Sequence, residues 1–175
     1  MPRYVALLRG VNVGGKNKLP MADLRALVES LGHVDVSTYI QSGNVVFTAD
    51  RSVTPESWQT AIAKQFGLDI TVVLRTASEL DKVVNANPFS RVDTSTLHVG
   101  FMTKKPSAAV VAKLDAARFR PDEFSVRGRE LYLHLPNGMG RSKLPGYLDR
   151  QLKIPTTIRN WNTVTKLLEL GVRPR

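Results

Sequence analysis

The fold is decided by the stretch Val36-Ser37-Thr38-Tyr39-Ile40-Gln41-Ser42-Gly43-Asn44-Val45-Val46-Phe47-Thr48-Ala49. Residues 36–41 and 44–49 are rich in β-branched and aromatic side chains, and each segment has the length of a strand. Ser42-Gly43 between them is typical of a two-residue hairpin turn, because glycine readily adopts the backbone that such turns need. The stretch therefore predicts a β-hairpin in the first half of the chain.

The segments on either side place this hairpin inside a longer order of elements. A buried strand at residues 3–9 and a helix opened by Pro20 precede it. A helix capped by Thr54 and a strand at residues 70–75 follow it, and Thr76-Ala77-Ser78-Glu79 is a capping box that opens one more helix. The order βαββαβ is the ferredoxin-like pattern.

The second half of the chain repeats this order. It contains predicted strands at residues 96–103, 123–127, 131–135 and 154–158 and predicted helices at 107–119 and 144–152, and Asn160 caps a final helix. Pro155 confines the last strand to a sheet edge. We therefore predict an α+β fold of two ferredoxin-like (βαββαβ) subdomains packed into one compact unit. The first is residues 1–90, with a glycine-rich loop, and the second, basic subdomain is residues 91–175, with the C-terminal helix.

Alternation along the strands of the second half predicts which side chains share a sheet face. One face is assigned Leu97, Val99, Phe101, Leu131, Leu133 and Leu135, and the other Thr96, His98, Gly100, Tyr132 and His134. The second of these faces either binds a partner or packs against the sheet of the first half. Packing is favoured, because two open sheets in one chain can cover each other.

The composition excludes several classes of protein. The 175-residue chain contains no cysteine, which excludes disulfide frameworks, thiol catalysis and thiolate metal sites. The longest apolar run, residues 4–8, is too short for a membrane span or a signal-peptide core. We expect a soluble cytoplasmic protein with no cofactor, no metal site and no membrane partner, and the sequence leaves its oligomeric state open.

The positive charge is concentrated in the second half of the chain. The formal net charge is +10, but residues 1–90 hold 9 basic and 8 acidic side chains, whereas residues 91–175 hold 16 basic and 7 acidic ones. A basic half-chain favours a polyanionic partner such as nucleic acid, or a small anionic ligand. A solvated basic surface without a ligand is the alternative of equal weight.

A glycine-rich loop at residues 10–18 follows the first strand. It nearly matches the phosphate-loop pattern, but Asn17 replaces the hydroxyl that binds magnesium and the helix begins only near Pro20, so we reject a nucleoside triphosphatase. Its glycines let the backbone approach an anion beside a helix N-terminus, and a tight loop with solvated lysines is the equal alternative. The candidate binding residues are Asn12, Gly14, Gly15, Lys16, Asn17 and Lys18.

Three further segments carry polar side chains suited to a ligand. At the hairpin tip, plain turn chemistry is favoured over binding. A second glycine-rich loop, residues 137–143, precedes a helix opened by Pro145 and matches the first loop as an anion-site candidate. At residues 156–163, a helix cap next to a core tryptophan is favoured over binding. The candidate residues are Gln41, Ser42, Asn44, Arg141, Lys143, Arg159, Asn160 and Trp161.

No catalytic constellation is visible. The histidines His33, His98 and His134 have neither metal-ligand spacing nor a nucleophile nearby in the sequence. His98 and His134 are expected as neutral neighbours on one sheet face. No two carboxylates lie at a spacing that acid–base chemistry would use. The sequence therefore favours a protein that is not an enzyme, but it leaves the question open.

Five blocks of the chain resemble those of a bacterial family known as domain of unknown function 1697. They are YVALLRGVNVGGKN at residues 4–17, MADLR at 21–25, YIQSGNVVF at 39–47, NPF at 87–89 and RNWNTV at 159–164. The family pattern Thr-Thr-Arg-Asn-Trp is interrupted here by Ile158. The resemblance implies an α+β fold with ferredoxin-like parts and implies no activity. Its blocks include the glycine-rich loop, the hairpin tip and the tryptophan segment, so we hypothesise a shared polar site.

Three functions follow as hypotheses. The first is an anion- or nucleic-acid-binding module, which rests on the basic half-chain and the two glycine-rich loops. The second is a structural or protein-interaction protein. The third is an enzyme or sensor for a small phosphorylated or carboxylated metabolite, which requires Lys16, Arg141 and Arg159 to meet in one pocket. The aromatic signature of an RNA-recognition sheet is missing, since Tyr132 is the only aromatic residue assigned to the open face.

Overall fold

The structure is a computed structural model and describes residues 1–172. The chain divides into two compact units: residues 1–82 with the end of the last helix from Lys166, and Val83–Thr165. The division expected from the sequence was at residue 90, with the whole last helix in the second part. Among the described residues, no helix is both long and apolar enough to cross a membrane.

The first unit is built on a four-stranded antiparallel sheet with strand order β2-β3-β1-β4. This is the order that the βαββαβ pattern produces, so the predicted ferredoxin-like fold is confirmed. Its elements are β1 Arg3–Leu8, α1 Met21–Ser30, β2 Val34–Thr38, β3 Asn44–Thr48, α2 Pro55–Phe66, β4 Val72–Thr76 and the beginning of α3 Ala77–Asn85.

The core of the first unit lies between the helices and one face of this sheet. Alternate residues of the central strands point into it, and the buried faces of α1 and α2 cover them. The main contributors are Ala6, Leu8, Val45, Phe47, Leu24, Leu27, Val28, Trp58 and Ile62.

Local capping sets the ends of the helices, as the sequence predicts. The Thr54 side chain accepts a hydrogen bond from Ser57 N at 3.2 Å, and Gly67 ends α2 in the left-handed conformation with φ 67°. The Thr76 hydroxyl accepts from Glu79 N at 3.0 Å, while the Glu79 carboxylate accepts from Thr76 N at 2.9 Å. This reciprocal pair is the predicted capping box.

The predicted two-residue hairpin turn at Ser42-Gly43 is wrong. β2 ends at Thr38 and β3 begins at Asn44, so residues 39–43 form a five-residue connection. Two features explain the longer loop: Ile40 has a left-handed backbone with φ 52°, which takes the chain out of the strand, and the Asn44 amide donates to Tyr39 O at 2.9 Å.

The second unit repeats the architecture with strand order β6-β7-β5-β8. The predicted second ferredoxin-like fold is therefore confirmed, and β8 lies at a sheet edge as Pro155 predicts. Its elements are β5 Leu97–Met102, α4 Ala108–Ala112, β6 Glu123–Arg127, β7 Glu130–His134, α5 Leu144–Leu152, β8 Thr156–Asn160 and the beginning of α6 Trp161–Val172.

The helix predicted at residues 107–119 is much shorter than expected. Ser107 caps it, but α4 ends at Ala112. The Asp115 carboxylate accepts from Ala117 N and Arg118 N, each at 3.2 Å, and Asp115 N donates to the Tyr147 hydroxyl at 2.9 Å. The main-chain N–H groups of residues 115, 117 and 118 therefore donate to side chains and not to the carbonyl groups of the preceding helical turn. The helix ends for this reason.

The predicted sheet faces of the second unit are also wrong. Each strand alternates as expected, but Val99 pairs with Tyr132 and His98 pairs with Leu133. Residues paired across a ladder point to the same face, so Val99 shares a face with Tyr132 and not with Leu131. Both strands were predicted correctly, but the register between them differs by one residue from the expected one. Such a shift exchanges the two faces of one strand relative to the other. The packing of the open sheet faces on each other stays a prediction.

Both units carry a buried arginine at the same position. Arg75 on β4 pairs with Val5 of β1, and Arg159 on β8 pairs with Val99 of β5. Both arginines are buried, and each is followed at once by the residue that caps the next helix. This shared pattern supports a duplication that the sequence indicated only by element order.

Candidate anion-binding site

The glycine-rich loop of the first unit is held together by asparagine amides. Asn12 Nδ2 donates to Leu19 O at 2.9 Å and to Gln41 O at 2.7 Å, while Asn12 Oδ1 accepts from Leu19 N at 2.8 Å. Asn17 Nδ2 donates to Gly10 O at 3.1 Å. Both donors of the Asn12 amide are therefore used within the unit, and the structure assigns this side chain to loop closure.

The same contacts bring two predicted segments together. Asn12 joins the glycine-rich loop to the hairpin connection at Gln41, and Asn44 is fully buried, with its amide donating to Ser42 Oγ at 2.8 Å. Gln41 and Ser42 thus belong to the turn chemistry that the sequence favoured.

The exposed part of this loop consists of glycines and lysines. Gly14 and Gly15 have φ values of 56° and 75°, and the space where a Cβ would stand is open at both. Lys16 and Lys18 are exposed beside them. Binding by these four residues stays a prediction. Val13 and Ile40, 61% and 50% exposed, add apolar surface to the same two segments.

The second glycine-rich loop lines a cavity of about 470 Å³. Gly138, with φ 87°, leads into a 3-10 turn at Met139–Arg141, and this places Arg141 and Lys143 on the cavity wall as predicted candidates. The structure adds members that the sequence interpretation missed. The full lining is Phe119, Arg120, Pro121, Asp122, Asn137, Arg141, Ser142 and Lys143.

Three cations and one carboxylate therefore line this cavity, and the carboxylate already has a partner. Ser142 Oγ donates to Asp122 Oδ2 at 2.7 Å and accepts from Leu144 N at 3.1 Å. Asp122 is buried, whereas Arg141 and Lys143 are exposed. The open part of the cavity is thus basic, and guanidinium groups suit the bidentate recognition of phosphate.

An aromatic contact fixes the wall that carries Arg120. Phe119 and Tyr147 meet edge to face with ring centroids 4.8 Å apart, and the Arg118 guanidinium lies 5.3 Å from the centre of the Phe119 ring. The Tyr147 hydroxyl holds Asp115 N, as described above. The sequence signal for this wall was the basic and aromatic run Arg118-Phe119-Arg120, which the predicted long helix concealed.

The tryptophan segment behaves as the favoured interpretation predicts. Asn160 Oδ1 accepts from Thr163 N at 2.8 Å and so caps α6, and Trp161 is buried. Arg159 is buried and donates to Thr157 Oγ1 at 2.6 Å, and burial lowers its pKa to about 10. Neither Arg159 nor Lys16 lines the cavity of Arg141, so this cavity lacks two of the three cations that the metabolite hypothesis requires.

The histidines lie in separate places. His134 pairs with Leu97 across the ladder and His98 with Leu133, which puts the two histidines on opposite faces and makes their predicted proximity wrong. His134 Nδ1 lies 2.9 Å from the Glu123 carboxylate, and His33 accepts from Trp58 Nε1 at 3.3 Å. Within residues 1–172, no three histidine or acidic side chains gather as metal ligands would.

Comparison with known proteins agrees with this architecture. The chain is similar to a solved structure, the conserved bacterial protein SP0830 from Streptococcus pneumoniae, with 26% identity, a TM-score of 0.76, and coverage of 97% of this chain and 98% of that chain. No curated protein matches the chain. A family model described as a protein of unknown function, DUF1697, matches residues 1–132. The chain therefore belongs to this family of proteins of unknown function, DUF1697.

Proposed function

We propose that this protein is a binding module for phosphate-bearing anions and that its binding site is the cavity lined by Arg120, Arg141 and Lys143. The observation that carries the proposal is the convergence of these three cations, from two separate loops, on one cavity of about 470 Å³. That volume lies within the range of about 300–1,000 Å³ typical of small-ligand sites.

The polar groups of the cavity complement a phosphate group. Arg120 and Arg141 offer planar donor pairs, Lys143 offers a compact charge, and Asn137 adds an amide. The one acidic lining residue, Asp122, is buried and accepts from Ser142, which lessens its repulsion of a bound anion.

The sheet of the second unit is less suited to bind a nucleotide than the cavity is. Tyr132 is buried and its hydroxyl donates to Val83 O at 2.6 Å, so it is not available to stack on a base. A phosphate ligand is therefore expected at the loops.

The proposal is tested with inorganic pyrophosphate and a 5′-mononucleotide as probes, using calorimetry and NMR shifts of arginine side-chain N–H groups. The double variant Arg120→Gln/Arg141→Gln should weaken binding at least about tenfold, since one charge-assisted hydrogen bond contributes about 1.5–3 kcal/mol.

A matched control removes the same charge elsewhere. Lys64 and Lys82 are exposed on helices of the first unit, so Lys64→Gln/Lys82→Gln should change the affinity by less than about twofold. Equal losses in both double variants would mean that the anion responds only to net charge, and the proposed site would be rejected.

A further inference from the structure

Basic side chains lie on the exposed side of α5 and at its two ends. Lys143 and Lys153 are the capping residues of the helix, and Arg150 lies in its last turn, with Gly146 one turn before it; all four residues are exposed. Gly146 and Arg150, four residues apart, lie on one side of the helix. The opposite side is buried in the core of the second unit through Leu144, Tyr147, Leu148 and Leu152.

Gly146 leaves room for the Arg150 side chain. A Cβ at Gly146 would stand 3.3 Å from Arg150 Nη1, so the guanidinium lies back along the helix, over the glycine. This position puts the Arg150 charge between the two ends of α5.

A second basic cavity lies at the far end of α5. It has a volume of about 390 Å³, and Lys104, Lys105 and Lys153 line it. No carboxylate is among its lining residues, and none of these three ammonium groups makes an ion pair within residues 1–172. The remaining wall is largely apolar and partly buried: Pro106, Ser107, Val110, Leu152 and Ile154.

The basic groups therefore form one path. Lys143 lines the first cavity, Arg150 lies along the helix, and Lys153 lines the second cavity. Ten residues separate Lys143 from Lys153, which at 1.5 Å per residue is about 15 Å. Asp149 is the acidic residue of this stretch, and its position on the helix is at the flank of the side that carries Gly146 and Arg150.

We propose that this path, which rests on the phosphate-binding function proposed above, binds a single strand of nucleic acid along α5. Phosphates spaced 3.4 Å apart along a stacked strand would place about four or five nucleotides on the 15 Å between the two cavities. A single strand fits the concave ends, because its phosphates and bases are free to enter them. The aliphatic wall of the second cavity can bury the face of an unpaired base.

The experiment measures fluorescence anisotropy of labelled oligothymidylates of 2, 4, 6, 8 and 12 nucleotides at several salt concentrations. The affinity should rise with length up to about five or six nucleotides and then level off. A hexamer that binds no more tightly than a dimer would overturn the path.

Variants then separate this path from the first cavity alone. Lys104→Gln/Lys153→Gln should weaken hexamer binding at least about tenfold and reduce the magnitude of the salt slope by about 1.4, while pyrophosphate binding at Arg120 and Arg141 stays unchanged. Lys64→Gln/Lys82→Gln is the control of equal charge.

Arg150→Gln tests the middle of the same path. It should weaken hexamer binding severalfold while leaving pyrophosphate binding as it is. Unchanged hexamer affinity in both the Lys104/Lys153 and the Arg150 variants refutes the path but leaves the proposed function standing. Absence of pyrophosphate binding refutes the proposed function itself.

Competitors identify the class of ligand. Polyglutamate and a duplex of the same length should displace the labelled hexamer poorly at equal charge concentration. Displacement by polyglutamate as effective as that by oligothymidylate would assign the path to acidic peptides, and equal displacement by the duplex would exclude the preference for a single strand. Either result overturns the proposal.

Discussion

The side-chain amide of Asn12 donates to the main-chain carbonyl of Gln41, 29 residues further along the chain, at 2.7 Å, and this bond joins the glycine-rich loop to the hairpin connection. The same amide also closes the glycine-rich loop on Leu19. Asn12 itself has a left-handed backbone with φ 56°, a conformation that asparagine tolerates better than most residues. One side chain thus sets the arrangement of both loops.

Asn12→Ala should lower the free energy of unfolding by about 1–3 kcal/mol, because the Leu19 and Gln41 groups lose their partner. Urea denaturation measures the change. Lys16→Ala in the same loop is the control and should stay within about 0.5 kcal/mol of the wild type, since Lys16 is exposed. Equal stability of the two variants would contradict the structural role of Asn12.

Gly43→Ala should be among the most destabilising substitutions in the first unit. A Cβ there would stand 2.6 Å from Val11 Cγ2 and 2.9 Å from Leu8 Cβ, and the backbone φ is 87°. Left-handed strain of about 1–2 kcal/mol and overpacking of about 1–3 kcal/mol then act together.

Gly14→Ala separates these two contributions. Its φ is 56°, but nothing lies within 4 Å of an added Cβ, so only the backbone strain remains. Thermal unfolding of both variants should show a clearly larger loss for Gly43→Ala. Equal losses would show that the contact with Val11 is relieved without cost.

The stability of the protein should fall as the pH decreases below about 6.5. Burial lowers the pKa of His33, against a smaller raising effect of Asp50, and burial likewise lowers the pKa of His98. The native state therefore favours neutral imidazoles, and the unfolded chain binds more protons once the pH passes below the ordinary histidine pKa of about 6.5.

Urea midpoints at pH 7.5 and pH 5.5 measure this effect. His33 accepts from Trp58 Nε1 and packs against Phe47 with ring centroids 5.0 Å apart, so protonation acts on the core of the first unit. His33→Gln should reduce the difference between the two midpoints, and His33→Gln/His98→Gln should reduce it further. A difference that the double variant leaves intact would assign the pH dependence to other groups.

Tyr132→Phe should destabilise the second unit by about 1–3 kcal/mol, because the carbonyl of Val83 loses its buried donor. Burial raises the pKa of Tyr132 to about 12. The neutral phenol is thus favoured in the native state, and stability should be lost as the pH rises above about 10, where the unfolded tyrosine ionises.

Denaturation at pH 7 and pH 10.5, followed by far-UV circular dichroism, tests both statements. The wild type should lose more stability between these two pH values than Tyr132→Phe does. Tyr39→Phe is the control, and its stability at pH 7 should match the wild type within about 0.5 kcal/mol. A Tyr132 variant as stable as this control would refute the role of the Val83 contact.

Features that depend on neighbouring residues in the chain were predictable from the sequence. The caps at Thr54, Thr76 and Asn160 form as expected, because a capping side chain bonds to a main-chain group three residues away. The strands and their order along the chain were predictable for the same reason, since alternation is a local signal, but the length of the connection at residues 39–43 was not. The end of α4 was not predictable from the sequence, because the hydroxyl that accepts from Asp115 N belongs to Tyr147, 32 residues further along the chain.

The sequence by itself determined two ferredoxin-like units and a basic second half, because element order, capping and charge are properties of short segments. Only the tertiary structure decided that Val99 faces the same way as Tyr132, that Asn12 binds Gln41, and that Arg120 and Arg141 share one cavity. Each of these relationships joins residues far apart in the chain. Their geometry depends on loop packing and on strand register. A shift of one residue in the register exchanges the two faces of a strand.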